Sequence, residues 1–552
     1  MSLSPELRDR AFRWIADDLA PADREEMQRL LGKAMVGEQD AIDELADRMR
    51  APLSFGTAGL RGPVRPGPNG MNRAVVVRTT AGLGEWLAAS GKSGGVVVVG
   101  RDARHGSEQF HRDVAGVLTA AGFDVRVLPR PLPTPVLAFA VRKLNAVAGV
   151  QVTASHNPPA DNGYKVYLDA GSQIVPPADR EIEAAIAKVG AAVVVPTAQG
   201  WTTLGEDLVQ SYVDRAASLT RSPERALRIA ATTLHGVGAE TLREVLAHAG
   251  FTDVHLVAEQ ERPDPDFPTV SFPNPEEPGA SDLLLSLAST VDADVAVALD
   301  PDADRCALGA RERDGCWRML RGDETGALLG ERVLSTLDRT AHPDPLVAAT
   351  IVSSELLRSV AAKHNARYDE TLTGFKWLVR AGDGNGTGLV YAYEEAIGHC
   401  VDPDVVRDKD GISAAVLACD LAASLKASGR SLLDALDDLA VAHGLHLTDQ
   451  VSLRVQDLSV IGRTMARLRA EPPVELAGIA ISVSDLRPKA DVLTMRGPGL
   501  RVLVRPSGTE PKVKAYLEIV EPVADAGELD DARKRGRERL SALREEISAL
   551  LG

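Results

Sequence analysis

Val295-Ala296-Val297-Ala298-Leu299-Asp300-Pro301-Asp302-Ala303-Asp304-Arg305 is the stretch that decides the fold class of this chain. Five apolar residues run straight into three aspartates at every second position. An unbroken apolar run of this length reads as a strand covered on both faces, the kind found in parallel sheets flanked by helices. Pro301 ends the regular backbone, so the aspartates fall on a loop at the strand's carboxyl end. That end is where open α/β sheets collect their ligands.

The same pattern recurs along the chain. Val96 to Val99, Val147 to Val152, Arg228 to Thr232 and Leu389 to Tyr393 are similar runs, separated by longer amphipathic stretches. The alternation predicts an α/β protein with mostly parallel strands. A chain of 552 residues is too long for one ordinary core, so several domains are expected. Residues 1–45 read as a charged helical lead-in. The first domain is placed at 46–219, the second at 220–321, the third at 322–445 and the fourth at 446–552. The stretch Thr220-Arg221-Ser222-Pro223-Glu224 reads as a linker, and a proline-rich segment from Arg262 to Pro278 lies inside the second domain. No repeat stands out in residue identity, although three successive α/β domains are candidates for a shared topology.

Composition narrows the function. An apolar fraction of 44% and a charged fraction of 25% are those of a soluble globular protein. No apolar run approaches the roughly 20 residues that span a bilayer. The N-terminal segment is charged and has no signal-peptide core. A cytoplasmic protein without a membrane partner is therefore expected. Cys306, Cys316, Cys400 and Cys419 show neither Cys-x-x-Cys spacing nor a disulfide framework, and read as inert thiols in a reducing compartment. A formal charge of −16 argues against a nucleic-acid surface. It also means that an anionic substrate needs a local cationic site.

Three further loops carry chemistry. Thr153-Ala154-Ser155-His156-Asn157-Pro158 follows the apolar run ending at Val152, and holds a serine out on a loop. An isolated triplet of this kind is ordinarily a turn with local hydrogen bonds. A serine hydrolase is not indicated: there is no Gly-x-Ser-x-Gly elbow, and adjacent Ser155 and His156 are not expected to adopt nucleophile–base geometry. Asp300, Asp302 and Asp304 converge on a tight loop, where their repulsion calls for a cation. Magnesium, which takes hard oxygens and commonly shares them with phosphate, fits. A calcium loop of the EF-hand type fails, because Arg305 and Arg311 stand where glycine and a bidentate glutamate are needed. Arg505-Pro506-Ser507-Gly508-Thr509-Glu510 combines a guanidinium, two hydroxyls and a glycine into a nest for a phosphate monoester. Lys512 and Lys514 reinforce it. Two glycine-rich stretches, Gly382 to Gly388 and Gly91-Lys92-Ser93, lack the context of a nucleotide site and read as turns.

With Tyr393-Glu394-Glu395-Ala396-Ile397-Gly398-His399 between the metal and phosphate loops, the chain strongly resembles the α-D-phosphohexomutase superfamily. The resemblance runs from about residue 50 to residue 520. It includes Phe55-Gly56-Thr57-Ala58-Gly59-Leu60-Arg61-Gly62 and Gly374-Phe375-Lys376-Trp377, and leans to the phosphoglucomutase and phosphopentomutase branch. It implies four domains around a central cleft: three related α/β domains with mixed sheets and a smaller C-terminal α+β domain. It implies that Ser155 is a phosphoserine and that Ser155, Asp300, Asp302 and Asp304 hold Mg2+. Arg61, His156, Lys165 and Arg305 are the implied catalytic set, with Lys165 as general acid/base. Thr57, Arg101, Arg104, Lys376, Glu394, Glu395 and His399 are implied substrate contacts, Glu394 for sugar hydroxyls. Arg505, Ser507, Gly508 and Thr509 would bind the phosphate that is not transferred. One departure concerns the sugar: many relatives carry serine where this chain has Ala396.

The expected reaction is reversible conversion of glucose 1-phosphate to glucose 6-phosphate through a bisphosphate, with glucose 1,6-bisphosphate as activator. The same mechanism on mannose or pentose phosphates is the alternative. A metal-dependent phosphatase and a non-catalytic sugar-phosphate sensor fit less well. The partner is a small sugar phosphate, and the chain is expected to be a monomer or homodimer.

Overall fold

In the computed structural model, residues 3–56, 59–168, 170–455, 457, 459–506 and 512–552 are described. They form two compact units, one of residues 1–320 and 398–424, the other of 321–397 and 425–552.

The first unit opens with three helices, Pro5–Asp17, Pro21–Met35 and Gln39–Arg48. Ser4 caps the first, its side chain accepting from the Leu7 N–H, and a proline stands in the first turn of both the first and second. Proline suits that place because its missing N–H has no partner to lose there. Trp14, Met27 and Leu45 bury their side chains in one cluster with Ala74 and Val77 of the helix Arg73–Ala89.

Two mixed sheets follow. In the first, Ala148–Val152 lies beside Val96–Arg101, which lies beside Asp124–Val127, all parallel. Asp161–Leu168 then runs antiparallel against Ala148–Val152, and Leu60–Pro63 antiparallel against it. In the second sheet, Val295–Leu299 lies beside Arg228–Thr232, which lies beside Asp253–Leu256, all parallel. Cys306–Arg311 runs antiparallel against Val295–Leu299. The order and directions repeat: the first strand is central, the second and third flank it, and an antiparallel fourth pairs with the third. Ala148–Val152 and Val295–Leu299 are buried at every position, as strands covered on both faces must be.

The second unit repeats the three parallel strands, with Leu346–Thr350 between Arg367–Thr371 and Leu389–Glu394. Its C-terminal part is different in kind. Leu445–Arg454, Lys512–Glu521, Leu500–Pro506, Leu493–Gly497 and Ser482–Asp485 form an antiparallel sheet in that order. Val502, Val504, Val513 and Leu517 face Met465 and Leu468 of one helix and Leu543 and Ile547 of the last helix, Leu529–Leu551. The α/β class, with mixed sheets and a C-terminal α+β portion, is as the sequence predicts. Among the described residues no single helix is long and apolar enough to cross a membrane.

The repeat explains where the functional loops lie. Ser155, the aspartates and Glu394 all occur where the third parallel strand of a repeat ends. Each of these turns contains one non-glycine residue in the left-handed region: Ser155 (φ 54°), Ala303 (φ 56°) and Ile397 (φ 54°). That conformation is costly for L-residues and clusters at functional turns.

Candidate active site

The left-handed backbone at Ser155 turns its hydroxyl inward. Its Oγ donates to Asp300 Oδ2 at 3.0 Å and lies 3.1 Å from His156 Nδ1. The same turn overturns the expectation that neighbouring serine and histidine side chains stay apart. In a regular strand they would point to opposite faces; here the positive φ brings both to one side. Burial, with Arg305 and Arg61 nearby, holds the His156 imidazole well below its ordinary value, so the ring is neutral at pH 7.

Asp300, Asp302 and Asp304 are fully buried, and each offers an oxygen within 4.8 Å of the others. Asp300 Oδ1 accepts from the Arg305 N–H at 3.0 Å, which closes the loop. Asp302 Oδ2 accepts from Thr134 Oγ1 at 2.5 Å and Lys165 Nζ at 2.6 Å. Asp304 Oδ2 accepts from Lys165 Nζ at 2.9 Å. Among the described residues, Asp302 Oδ1 and Asp304 Oδ1 are buried with no hydrogen-bond partner. Two orphaned carboxylate oxygens beside Ser155 and Asp300 make a hard-oxygen donor set, which suits a divalent cation such as magnesium.

The surrounding charge is positive. Burial works against the Lys165 ammonium, but Asp302 and Asp304 outweigh it and hold the group above the ordinary lysine value. Burial opposes ionisation of Asp304 as well, yet Lys165, Lys409 and Arg305 hold its carboxyl far below the usual range. Burial, followed by the charge on Asp304, pushes Asp300 and Asp302 upward. Arg61 sits on Leu60–Pro63 opposite Gly163, and its NH1 donates to Asn157 Oδ1 at 3.3 Å. Glycine is required at 163 because a Cβ would lie 2.5 Å from the Thr153 carbonyl and 3.1 Å from Arg61 Cγ.

Arg104 takes a different place from the one its resemblance implied. Its guanidinium donates to the carbonyls of Ser155 (2.6 Å), Asn157 (2.8 Å), Pro158 (2.9 Å) and Asp161 (3.2 Å). Phe267 covers it, with the guanidinium carbon 4.9 Å from the ring centroid. Four of its contacts go to backbone, so it braces the serine loop instead of facing a ligand. Arg101 ends its strand half-buried, its NH1 3.4 Å from the Asp102 carbonyl. His399 is fully enclosed, and burial pushes it down to about 3 despite a hydrogen bond with the Cys306 backbone. It supports the hairpin and offers no open face to a substrate.

Lys409 escaped the sequence reading. Its Nζ lies 3.4 Å from Asp304 Oδ2, in the segment 398–424 that belongs to the first unit. Asp408, its neighbour, accepts from Tyr167 Oη and Gln173 Nε2, both at 2.8 Å. The signal was present: Arg407-Asp408-Lys409-Asp410 is a charged quartet set directly before the apolar helix Gly411–Ala427. Gly411 itself must lack a side chain, because a Cβ would lie 2.4 Å from the Arg305 carbonyl.

In the second unit, Glu394 ends its strand almost buried. Glu395 is held locally, its Oε2 accepting from Thr350 Oγ1 at 3.0 Å and from Ser353 Oγ at 3.3 Å. Lys376 lies on the short helix Phe375–Leu378, after Gly374 in the left-handed region. Arg505 stands at the end of Leu500–Pro506, paired with Lys514. Thr57, Ser507, Gly508 and Thr509 lie outside the described residues.

Comparison with known proteins bears on the whole chain. Residues 52–192, 210–313 and 321–441 match the models of phosphoglucomutase/phosphomannomutase alpha/beta/alpha domains I, II and III, and 467–535 match the C-terminal domain. The chain is 43% identical over 459 residues to a probable phosphomannomutase of Haemophilus influenzae, covering 81% of this chain and 93% of that one. It is 33% identical over 514 residues to a phosphoglucomutase of Staphylococcus epidermidis, covering 86% and 92%. A crystal structure of a putative phosphomannomutase from Thermus thermophilus superposes with a TM-score of 0.70 at 25% identity, covering 91% of this chain and 99% of that one. With all four domain models matched in order, the chain belongs to the phosphoglucomutase/phosphomannomutase family of the α-D-phosphohexomutase superfamily, and is a phosphosugar mutase.

Proposed function

We propose that this mutase moves a phosphoryl group between O1 and O6 of glucose monophosphate, with Ser155 carrying the group between turnovers. The observation that carries the reading is the Ser155 hydroxyl 3.0 Å from Asp300, inside a buried carboxylate cluster edged by Lys165, Arg61 and Arg305.

Transfer from phosphorylated Ser155 breaks the P–Oγ bond and forms a P–O bond to the free sugar hydroxyl. The hydroxyl proton leaves as Oγ becomes a serine hydroxyl again. His156, neutral and 3.1 Å from Oγ, is assigned to hold the proton on the serine side. Lys165, kept charged by two aspartates, serves as a fixed cation facing the transferring oxygens, in place of the base that the resemblance implied. Arg61 and Arg305 add positive charge at the same place, the main requirement of phosphoryl transfer. Asp300, Asp302 and Asp304 would hold Mg2+, which supplies Lewis-acid neutralisation of phosphoryl charge. Glu394 is assigned to sugar hydroxyls and Arg505 to the phosphate that stays in place. Glucose 1,6-bisphosphate, which reloads Ser155, is the proposed activator.

Intact-protein mass before and after phosphatase treatment tests this, with the site mapped. Phosphate on Ser155, and loss of turnover in Ser155→Ala, is the expected result; full activity of that variant would refute the phosphoserine. Mannose 1-phosphate is the second reading, favoured by the Haemophilus influenzae relative. Comparing kcat/KM for glucose, mannose and ribose 1-phosphates, each with its bisphosphate, decides among them.

A further inference from the structure

The proline-rich segment from Arg262 to Pro278 reaches the serine loop through one side chain, Phe267. Phe267 is 2% exposed and holds φ at 46°, in the left-handed region. For a bulky aromatic residue that conformation is an outlier, and it persists only where the surroundings enforce it. They do so here. The Phe267 N–H donates to the Asp264 carbonyl at 3.2 Å, and the Phe267 carbonyl accepts from the Val270 N–H at 3.0 Å. Thr269 Oγ1 accepts from Gln260 Nε2 at 2.8 Å and lies 2.8 Å from His235 Nε2. The His235 ring meets the Phe267 ring edge-on, with 6.4 Å between centroids. Gln260 and His235 are both buried, so the segment is pinned to a firm base.

What Phe267 meets is Arg104. The edges of that guanidinium are engaged within the first sheet's domain: NH1 and NH2 by the four carbonyls around Ser155, Nε by Asp102 Oδ2 at 3.3 Å. A planar cation engaged along its edges is gripped further through its faces. Phe267 supplies such a grip, at 4.9 Å from ring centroid to guanidinium carbon, and Arg104 is buried. Away from water the attraction between a cation and a ring face is at the strong end of its range. Close by in sequence on both sides, His105 Nε2 lies 2.7 Å from Asp266 Oδ1. This junction bears on the chemistry because Ser155 and Asp300 follow strands of different sheets. Their 3.0 Å contact depends on the register between the two.

We propose that Phe267 is a further positioning residue for phosphoryl transfer: by gripping Arg104 from the side of the second sheet, it fixes the Ser155 loop against the aspartate turn. It acts through Arg104 and is not argued to touch sugar or phosphate. The inference rests on the reading of Ser155 as the phosphoryl carrier. An aromatic ring is needed, because an aliphatic side chain fills the space without attracting the guanidinium. A loosened Arg104 lets the serine loop drift, and a misplacement of about 1 Å costs up to about 100-fold in rate.

The test places phenylalanine bearing one, two or three ring fluorines at position 267 of the full-length protein, with Phe267→Leu alongside. Fluorine drains electron density from the ring face and changes its shape little. Turnover is measured on glucose 1-phosphate or mannose 1-phosphate, whichever wild type converts faster. The kcat is expected to fall stepwise with fluorine number, to about tenfold below wild type in the trifluoro form and in Phe267→Leu. KM should stay within about twofold, since the interaction acts on the transfer step. In an Arg104→Met background the same fluorines should leave kcat unchanged, because the cation they act on is gone; a purely structural role of the ring would persist there. A kcat that stays flat across the fluorinated series, or an equal fall in the Arg104→Met background, would overturn the proposal. If Ser155 carries no phosphate by intact-protein mass and Ser155→Ala turns over normally, the reading of the serine fails, and this proposal with it.

Discussion

Arg104 and His399 show how the same residue type changes meaning with its surroundings. Arg104 has its donors on four carbonyls around Ser155, so its loss should disturb the nucleophile more than substrate binding. Arg104→Met is expected to lower kcat by at least about tenfold with little change in KM, a split read from steady-state kinetics. His399 is buried in the neutral form, with its value pushed down to about 3. The unfolded chain binds that proton below about pH 6.5 and the folded chain does not, so stability falls as pH drops from 6.5 toward 3. Between pH 6.5 and 5 this amounts to about 2 kcal/mol. His399→Gln should remove that share of the slope in urea unfolding at the two pH values. The aspartates were legible in sequence from their spacing after a buried strand, whereas Ser155 and Lys165 came forward through the resemblance of their motifs to the family. The roles of Arg104 and His399 were not, because which donor reaches which carbonyl depends on residues far along the chain.

The turn after the third strand is the element on which the chemistry is built. Val295–Leu299 enters it fully buried, Ala303 crosses it at φ 56°, and Arg305 returns a backbone N–H to Asp300. Gly411 presses on this turn from the next helix, where a Cβ would lie only 2.4 Å from the Arg305 carbonyl oxygen. Gly411→Ala is therefore expected to displace the carboxylates and raise the Mg2+ concentration needed for half-maximal activity, by at least about tenfold. A metal titration of activity checks it; an unchanged midpoint would mean that the helix yields without moving the turn. The apolar runs at 96–99, 228–232, 295–299 and 389–393 announced their strands in sequence, since a strand covered on both faces has no polar alternation to confuse the reading. The equivalence of the three turns was not visible, because it resides in strand order and not in residue identity.

At the scale of the molecule, the chain enters the first unit, leaves at residue 320, returns for 398–424 and leaves again. The carboxylate cluster lies wholly in the first unit, so Mg2+ should stabilise that unit and leave the other unchanged. Calorimetry is expected to show more than one transition, with only one raised by Mg2+ and lowered again by chelation. A uniform shift of all transitions would contradict this. Sequence alone determined the α/β class from its strand runs, and its motifs taken together pointed by resemblance to the family and to phosphosugar mutase chemistry. Tertiary structure alone decided that His156 meets Ser155, that Lys165 is held as a cation, that Lys409 joins the cluster, and that Ser353 joins the Glu395 N–H to Arg501. The first is set by a left-handed turn between neighbouring residues, and the others by burial and by contacts between segments distant in sequence, none of which leaves a mark in residue order.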